Sequence, residues 1–80
     1  MKKVISITGG GVCPEQYAGK LDTGESFYAR YRWGHGRLEV NNIDVAFITD
    51  PNDPFRGYFE ENELVNLFLQ AKIELDPNLL

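Results

Sequence analysis

Cysteine, histidine, methionine and tryptophan each occur only once in this chain of 80 residues. A single cysteine, Cys13, excludes an intramolecular disulfide, and secreted scaffolds of this size normally need such bridges. Long apolar runs are also missing, because the basic and β-branched start breaks at Gly9-Gly10-Gly11 before a signal-peptide hydrophobic region develops. We therefore expect a cytoplasmic protein with no membrane partner. The β-branched residues at the start predict a first strand over about Val4 to Thr8.

Basic residues are few as well. Eight Lys and Arg against 12 Asp and Glu give a net charge of −4, which disfavours binding to nucleic acid or anionic lipid unless the bases cluster. The composition, 42% hydrophobic and 25% charged, is that of an ordinary globular protein. A chain of this length buries only about 60 to 65% of its extended surface, so we expect residues 1–80 to form a single domain with a thin core.

Apolar side chains alternate with polar ones from Tyr17 onward, which indicates strands. A three-residue loop at Asp22-Thr23-Gly24, with glycine in a left-handed position, pairs Gly19 with Phe27 and Tyr17 with Ala29. This register puts the large apolar side chains of both strands on one face. The pattern therefore predicts a hairpin here.

A second hairpin is predicted at His35-Gly36, or as a four-residue loop from Gly34 to Arg37. Either turn places Trp33 on the apolar face, where the helix would cover it. The same register sets Arg32 opposite Glu39 as a cross-strand ion pair on the other face.

The apolar positions change phase after Val40, where Asn41-Asn42 follows. Asparagine tolerates left-handed φ, so a two-residue turn there pairs Val40 with Ile43. Ile43, Val45 and Phe47 then join the apolar face. A bulge within one longer strand is the alternative explanation.

The segment from Asp50 to Pro54 contains two prolines and is predicted to be a loop. Beyond it the apolar period becomes helical, which predicts a helix over about residues 60 to 73. Its apolar stripe comprises Leu64, Leu67, Phe68 and Ala71. The predicted fold class is therefore α+β. We expect a small antiparallel sheet, built as a meander of three to five strands, to pack against one C-terminal α-helix.

Two runs carry a resemblance to known proteins: Cys-Pro-Glu-Gln-Tyr at residues 13–17, and Phe-Tyr-Ala-Arg-Tyr-Arg-Trp-Gly-His-Gly at residues 27–36. With the acidic helical tail, they resemble small uncharacterised proteins of bacteriophages and prophages. The resemblance covers residues 13–40 and brings no activity or site residues with it. It implies a virus-encoded accessory protein that acts on a host protein.

Few residues could carry chemistry. Cys13 and His35 form the only possible nucleophile and base pair, but no third residue orients the histidine, so a cysteine-dependent enzyme remains a minor alternative. The acidic residues of the 50–53 loop with Glu60 or Glu61 resemble a calcium site, yet prolines stand within the loop and its sixth position is Phe55 instead of glycine. We expect no enzyme, no cofactor and no metal.

The face opposite the core is the better candidate for function. It presents cations and an aromatic side chain on neighbouring strands, the residue types that dominate protein interfaces. We expect it to bind a protein partner, with single-stranded nucleic acid as the alternative ligand. The acidic loop around Asp50 and Asp53 is a second possible contact for a basic partner. The predicted binding residues are Tyr28, Arg30, Arg32, Arg37 and Glu39.

Overall fold

The computed structural model describes residues 1–12, 14–60 and 62–80. Within them the chain forms one α-helix and six strands joined in one sheet of order β5-β4-β3-β2-β1-β6, which curls into a half-barrel. Neighbouring strands are antiparallel, apart from β1 and β6, which are parallel. The elements are β1 (Lys2–Gly10), β2 (Glu15–Leu21), β3 (Ser26–Arg32), β4 (His35–Val40), β5 (Ile43–Thr49), α1 (Glu63–Gln70) and β6 (Ile73–Glu74).

The α+β class and the mostly antiparallel sheet are confirmed, but the strand number and the helix position were predicted wrongly. The described residues form six strands instead of three to five, and α1 is followed by β6, so the helix is not C-terminal. Lys72 takes a left-handed φ of 59°, which turns the chain out of the helix. Ile73 then pairs with Lys2 and is buried. A strand of two residues is too short for periodicity to reveal.

The core lies between the inner face of the sheet and α1. The predicted helix stripe is confirmed for Leu64, Leu67 and Phe68, which are all buried. Phe68 meets Phe27 of β3 edge to face, with ring centroids 5.1 Å apart. The strands contribute Leu21, Phe27, Ala29, Tyr31, Leu38 and Val40 to the same core.

The hairpin between β2 and β3 is confirmed in its predicted register. Gly19 pairs with Phe27 and Tyr17 with Ala29. Gly24 has a φ of 89°, the left-handed conformation that the three-residue loop requires.

The hairpin between β3 and β4 turns two residues earlier than predicted. Trp33 and Gly34 occupy the turn with φ of 55° and 74°, so Trp33 is 59% exposed instead of covered by the helix. Arg32 consequently pairs with His35, and the predicted pair with Glu39 does not form. The observed register puts Tyr31 opposite Gly36, whose missing side chain leaves room for the buried tyrosine ring.

The turn at Asn41-Asn42 is confirmed, with φ of 50° and 68° and Val40 paired with Ile43. A bulge follows it: Glu39 pairs with Asp44, but Leu38 pairs with Ala46. The predicted alternative, a bulge within one longer strand through both asparagines, is therefore wrong, because the observed bulge lies within β5 and beyond the turn.

This bulge inserts Val45 as an extra residue and changes which side chains face the core. Beyond the bulge, Ala46 and Ile48 pack against the core, while Phe47 is 55% exposed. Ile43 lies before the bulge, opposite Val40, and is 67% exposed, so the bulge does not account for its exposure. The predicted core positions of Ile43, Val45 and Phe47 were therefore wrong.

Candidate functional site

We call the side of the sheet turned away from α1 the outer face. Strand alternation brings the predicted binding residues together there, because residues two apart on a strand share a side. Strand β3 contributes Tyr28, Arg30 and Arg32, and strand β4 contributes Arg37 and Glu39. Tyr28 lies opposite Glu39, and Arg30 lies opposite Arg37.

Arg37 is neutralised within the outer face. Its guanidinium donates to Glu39 at 3.0 Å, and its Nε lies 3.6 Å from a carboxylate oxygen of Asp44. The side chains of Arg37 and Glu39 are 34% and 20% exposed, so this pair is partly shielded from water. Arg37 is therefore less available to a ligand than the sequence predicted.

Arg30 and Arg32 have no carboxylate within ion-pair distance in residues 1–12, 14–60 and 62–80. They stand two residues apart on β3 and point to the same side. These two guanidinium groups are cations of the outer face that a partner could neutralise, and Lys20 on β2, bonded to the hydroxyl of Ser26, is another.

His35 begins β4 instead of forming the hairpin tip. Its ring stacks on Phe47 with centroids 5.3 Å apart, and its Nδ1 lies 3.3 Å from the hydroxyl of Thr49. Cys13 lies outside the described residues, so the structure does not test the predicted pairing of Cys13 with His35.

An aromatic cleft opens at the turn between β3 and β4, lined by Arg32, Trp33, Phe55 and Gly57, with a volume of about 140 Å³. The rings of Trp33 and Phe55 meet edge to face with centroids 6.2 Å apart. Phe55 is 74% exposed, more than Trp33. The Arg32 guanidinium carbon lies 5.9 Å from the Trp33 ring centroid, so a cation stands at the rim of an apolar cleft.

Backbone hydrogen bonds hold the two walls of the cleft together. The amide of Gly34 donates to the carbonyl of Arg56 at 2.8 Å, and the amide of Asp50 donates to the carbonyl of Gly34 at 2.8 Å. A Cβ on Gly34 would lie 2.8 Å from the carbonyl oxygen of Asp53, so the loop approaches the turn closely. Trp33 and Phe55, one residue from these contacts, are thereby kept side by side.

The buried side chain of Arg56 holds the segment between β5 and α1 in place. It is only 4% exposed, and its guanidinium lies 2.7 Å from Glu60, 2.9 Å from Glu63 and 3.4 Å from Asp50. It also donates to the hydroxyl of Tyr31 and lies 4.4 Å from that ring's centroid. Burial by itself lowers the pKa of Arg56, but hydrogen bonds to Tyr31, Glu63 and Glu60 outweigh it and raise the pKa above its ordinary value.

Sequence reasoning missed Arg56, Trp33 and Phe55 as site residues. Two signals pointed to them: acids stand four and seven residues after Arg56, and glycine directly follows Trp33, as a two-residue turn favours. Neither signal indicates that the arginine is buried or that the tryptophan is exposed.

The oxygens of the supposed calcium loop are engaged inside the chain. Asp50 accepts from the amide of Asn52 at 2.9 Å, and Asp53 accepts from the amide of Phe55 at 3.1 Å. No group of His, Cys, Asp and Glu side chains in the described part of the chain is arranged to hold a metal ion. Glu61 lies outside those residues.

The chain matches no protein-family model, no curated protein and no solved structure. In the residues that the structure describes, no helix is long and apolar enough to cross a membrane. The candidate site therefore rests on its own geometry: in the described residues, two arginines have no acidic partner and lie beside a cleft between exposed aromatic rings.

Proposed function

We propose that this protein is a non-enzymatic binding module that engages a protein partner through the outer face and the aromatic cleft. Tyrosine, tryptophan and arginine are the residue types that most often dominate the energy of protein interfaces. Here they lie side by side as Tyr28, Arg30, Arg32 and Trp33. A rigid sheet presents three of them and a clamped turn presents the fourth, which limits the entropy lost on binding.

The single observation that carries the proposal is the conformation of Trp33. A bulky residue at positive φ is disfavoured by roughly 1 kcal/mol or more, and this type of turn prefers Asn-Gly. Trp33 nevertheless holds a φ of 55° and exposes more than half of its side chain to water. In the folded chain the indole gains only partly exposed contacts with Phe55 and Arg32 in return for this backbone conformation, which supports a role in binding.

Single-stranded nucleic acid is the second candidate, because exposed aromatic rings suit stacked bases, and arginines without an acidic partner in the described residues suit phosphates. The chain is acidic overall, however. Asp53 precedes Phe55 in the same loop, Glu60 is exposed, and the whole chain carries a charge of −4. A phosphate backbone carries a negative charge at every nucleotide, whereas a protein partner does not, so a protein partner is favoured.

The resemblance to phage and prophage proteins is the support for a viral origin and a host partner. It makes a lysate of the bacterial host the first place to seek that partner.

The test is Trp33→Asn, which removes the indole and supplies the residue that this turn prefers. We expect thermal stability to stay equal or rise while capture of specific proteins from the host lysate is lost. The matched control is Ile5→Ser on β1, where an apolar side chain 60% exposed lies outside the cleft. Capture retained by Trp33→Asn, or lost equally in the control, would contradict the proposal.

Charge reversal offers a second test. Arg30→Glu combined with Arg32→Glu removes cations that have no acidic partner in the described part of the chain, so folding should change little. The captured partners should disappear. If the same partners remain, the outer-face arginines are not the binding surface, and the acidic loop around Asp50 and Asp53 is the next site to test.

A further inference from the structure

The aromatic cleft has room for one side chain of a partner. Its volume is about 140 Å³, below the range of about 300 to 1,000 Å³ that is usual for small-molecule pockets. Its walls are the rings of Trp33 and Phe55, and Arg32 stands at its rim. An apolar side chain fits these walls, and a neighbouring negative charge fits the rim.

The spacing of Arg30 and Arg32 along β3 supplies a second cation in line with the cleft. Arg30 and Arg32 share the outer face, and a strand rises about 3.3 Å per residue, which puts their positions roughly 7 Å apart. The cleft follows directly after Arg32. An extended segment of another chain has the same rise, so its alternate side chains can meet the cleft, Arg32 and Arg30 in turn.

Charge then selects the class of ligand. Arg30 and Arg32 lack carboxylate partners in the described residues, whereas Arg37 is already held by Glu39 and Asp44. A ligand with two separate carboxylates matches the two free cations. A phosphate backbone carries a charge at every nucleotide and is opposed by the net charge of −4, whereas a peptide can carry its acids only at the positions that face the two arginines.

We infer that the cleft and the two arginines bind an extended acidic peptide segment of the partner. An apolar side chain enters between Trp33 and Phe55, and acids at the second and fourth positions from it meet Arg32 and Arg30. This inference rests on the proposed function and names the partner's chemistry.

Trp33 supplies the assay, because it is the only tryptophan and its indole N–H signal reports on the cleft alone. Two in-phase probes place both acids on the same side of an extended peptide as phenylalanine. They are acetyl-Phe-Ser-Asp-Ser-Asp-amide and the reverse order, acetyl-Asp-Ser-Asp-Ser-Phe-amide. The out-of-phase probe, acetyl-Phe-Asp-Ser-Asp-Ser-amide, has the same composition, but its acids point away from the face that carries phenylalanine. A fourth probe replaces both Asp residues with Asn.

We expect NMR titration to show at least one in-phase peptide binding about threefold to tenfold more tightly than the out-of-phase peptide and the Asn peptide. Added salt should reduce this preference, because the arginines are exposed or half-buried. Arg32→Ala should abolish the preference. Lys20→Ala, which removes another cation of the outer face, should preserve it.

Equal binding of the in-phase and out-of-phase peptides would overturn the inference. A Trp33 shift with a ten-nucleotide oligo-dT strand but with no peptide would overturn it in favour of nucleic acid. If no peptide shifts the signal while Trp33→Asn still loses captured proteins, the acidic-peptide assignment is wrong and the proposed function stands.

Discussion

At the scale of single residues, Arg56 determines how the long segment between β5 and α1 is held. A buried arginine needs several acceptors, and here Asp50, Glu60 and Glu63 surround it while Tyr31 supports its flat face. The exposed rings of the cleft therefore depend on a charge that a ligand would not contact.

Arg56→Met should destabilise the fold by about 3 kcal/mol, because three carboxylates lose the charge that holds them together. Urea unfolding would measure the loss. Arg37→Met is the matched control, since its ion pairs are partly exposed and should contribute about 1 kcal/mol or less. Equal losses in the two variants would contradict a special role for Arg56.

Tyr17 makes stability sensitive to alkaline pH. Burial, together with its 2.6 Å hydrogen bond to Glu15, raises the pKa of Tyr17 from 10.0 to about 12. The folded state thus keeps a proton that the unfolded chain releases. The stabilisation is complete below pH 10 and is lost as the pH rises through about 12.

We therefore expect the free energy of unfolding to fall with pH above 10, and Tyr17→Phe to reduce that slope. Denaturant unfolding at a series of alkaline pH values would measure it. Part of the slope should remain, since burial raises the pKa of Tyr31 as well. An unchanged slope in Tyr17→Phe would show that other groups control the alkaline transition.

At the scale of elements, the two-residue hairpin turns at Trp33-Gly34 and Asn41-Asn42 share positive φ but differ in how well their residues suit it. Asn41-Asn42 has the residues that positive φ favours, whereas Trp33-Gly34 has a tryptophan where asparagine suits the backbone. Asn41 also accepts a hydrogen bond from the amide of Ser26 through its side-chain oxygen at 3.2 Å, which ties the turn to β3.

Asn42→Gly should leave stability unchanged or raise it by up to about 1 kcal/mol, because glycine suits the second left-handed position. Asn41→Gly should instead lower stability by about 1 kcal/mol through loss of the bond to Ser26. Thermal unfolding of the two variants measures the difference. The same effect in both would show that the turn conformation alone matters.

At the scale of the whole molecule, sheet and helix share one core. Phe68 is fully buried against Phe27, while Leu69, the next residue of α1, is 44% exposed. Neither the inner face of the sheet nor the short helix has another apolar surface of comparable size to pack against in the described residues.

Phe68→Ala should destabilise the protein by about 3 to 5 kcal/mol, a large share of the stability of a small domain. Sheet and helix signals should be lost together in a single transition, followed by circular dichroism. Leu69→Ala is the control on the same helix and should change stability by less than about 1 kcal/mol. A sheet that persists after Phe68→Ala would show that it folds without α1.

The sequence by itself determined the features that depend on a few adjacent residues. The Asp22-Thr23-Gly24 loop and the Asn41-Asn42 turn have the side chains that left-handed φ requires, so both hairpins were predicted correctly. The stripe of Leu64, Leu67 and Phe68 follows helical spacing and was also predicted. Together these features were sufficient to predict the α+β class.

Only the tertiary structure decided the rest. A turn at Trp33-Gly34 and a turn at His35-Gly36 leave the same residues on the same faces of the sheet, so the apolar period could not distinguish them. The observed turn places the Tyr31 ring opposite Gly36, where a side chain would crowd it. The burial of Arg56 depends on Tyr31, 25 residues earlier in the chain. Contacts between distant segments thus placed the cleft and its anchor, because no local pattern of residues encodes them.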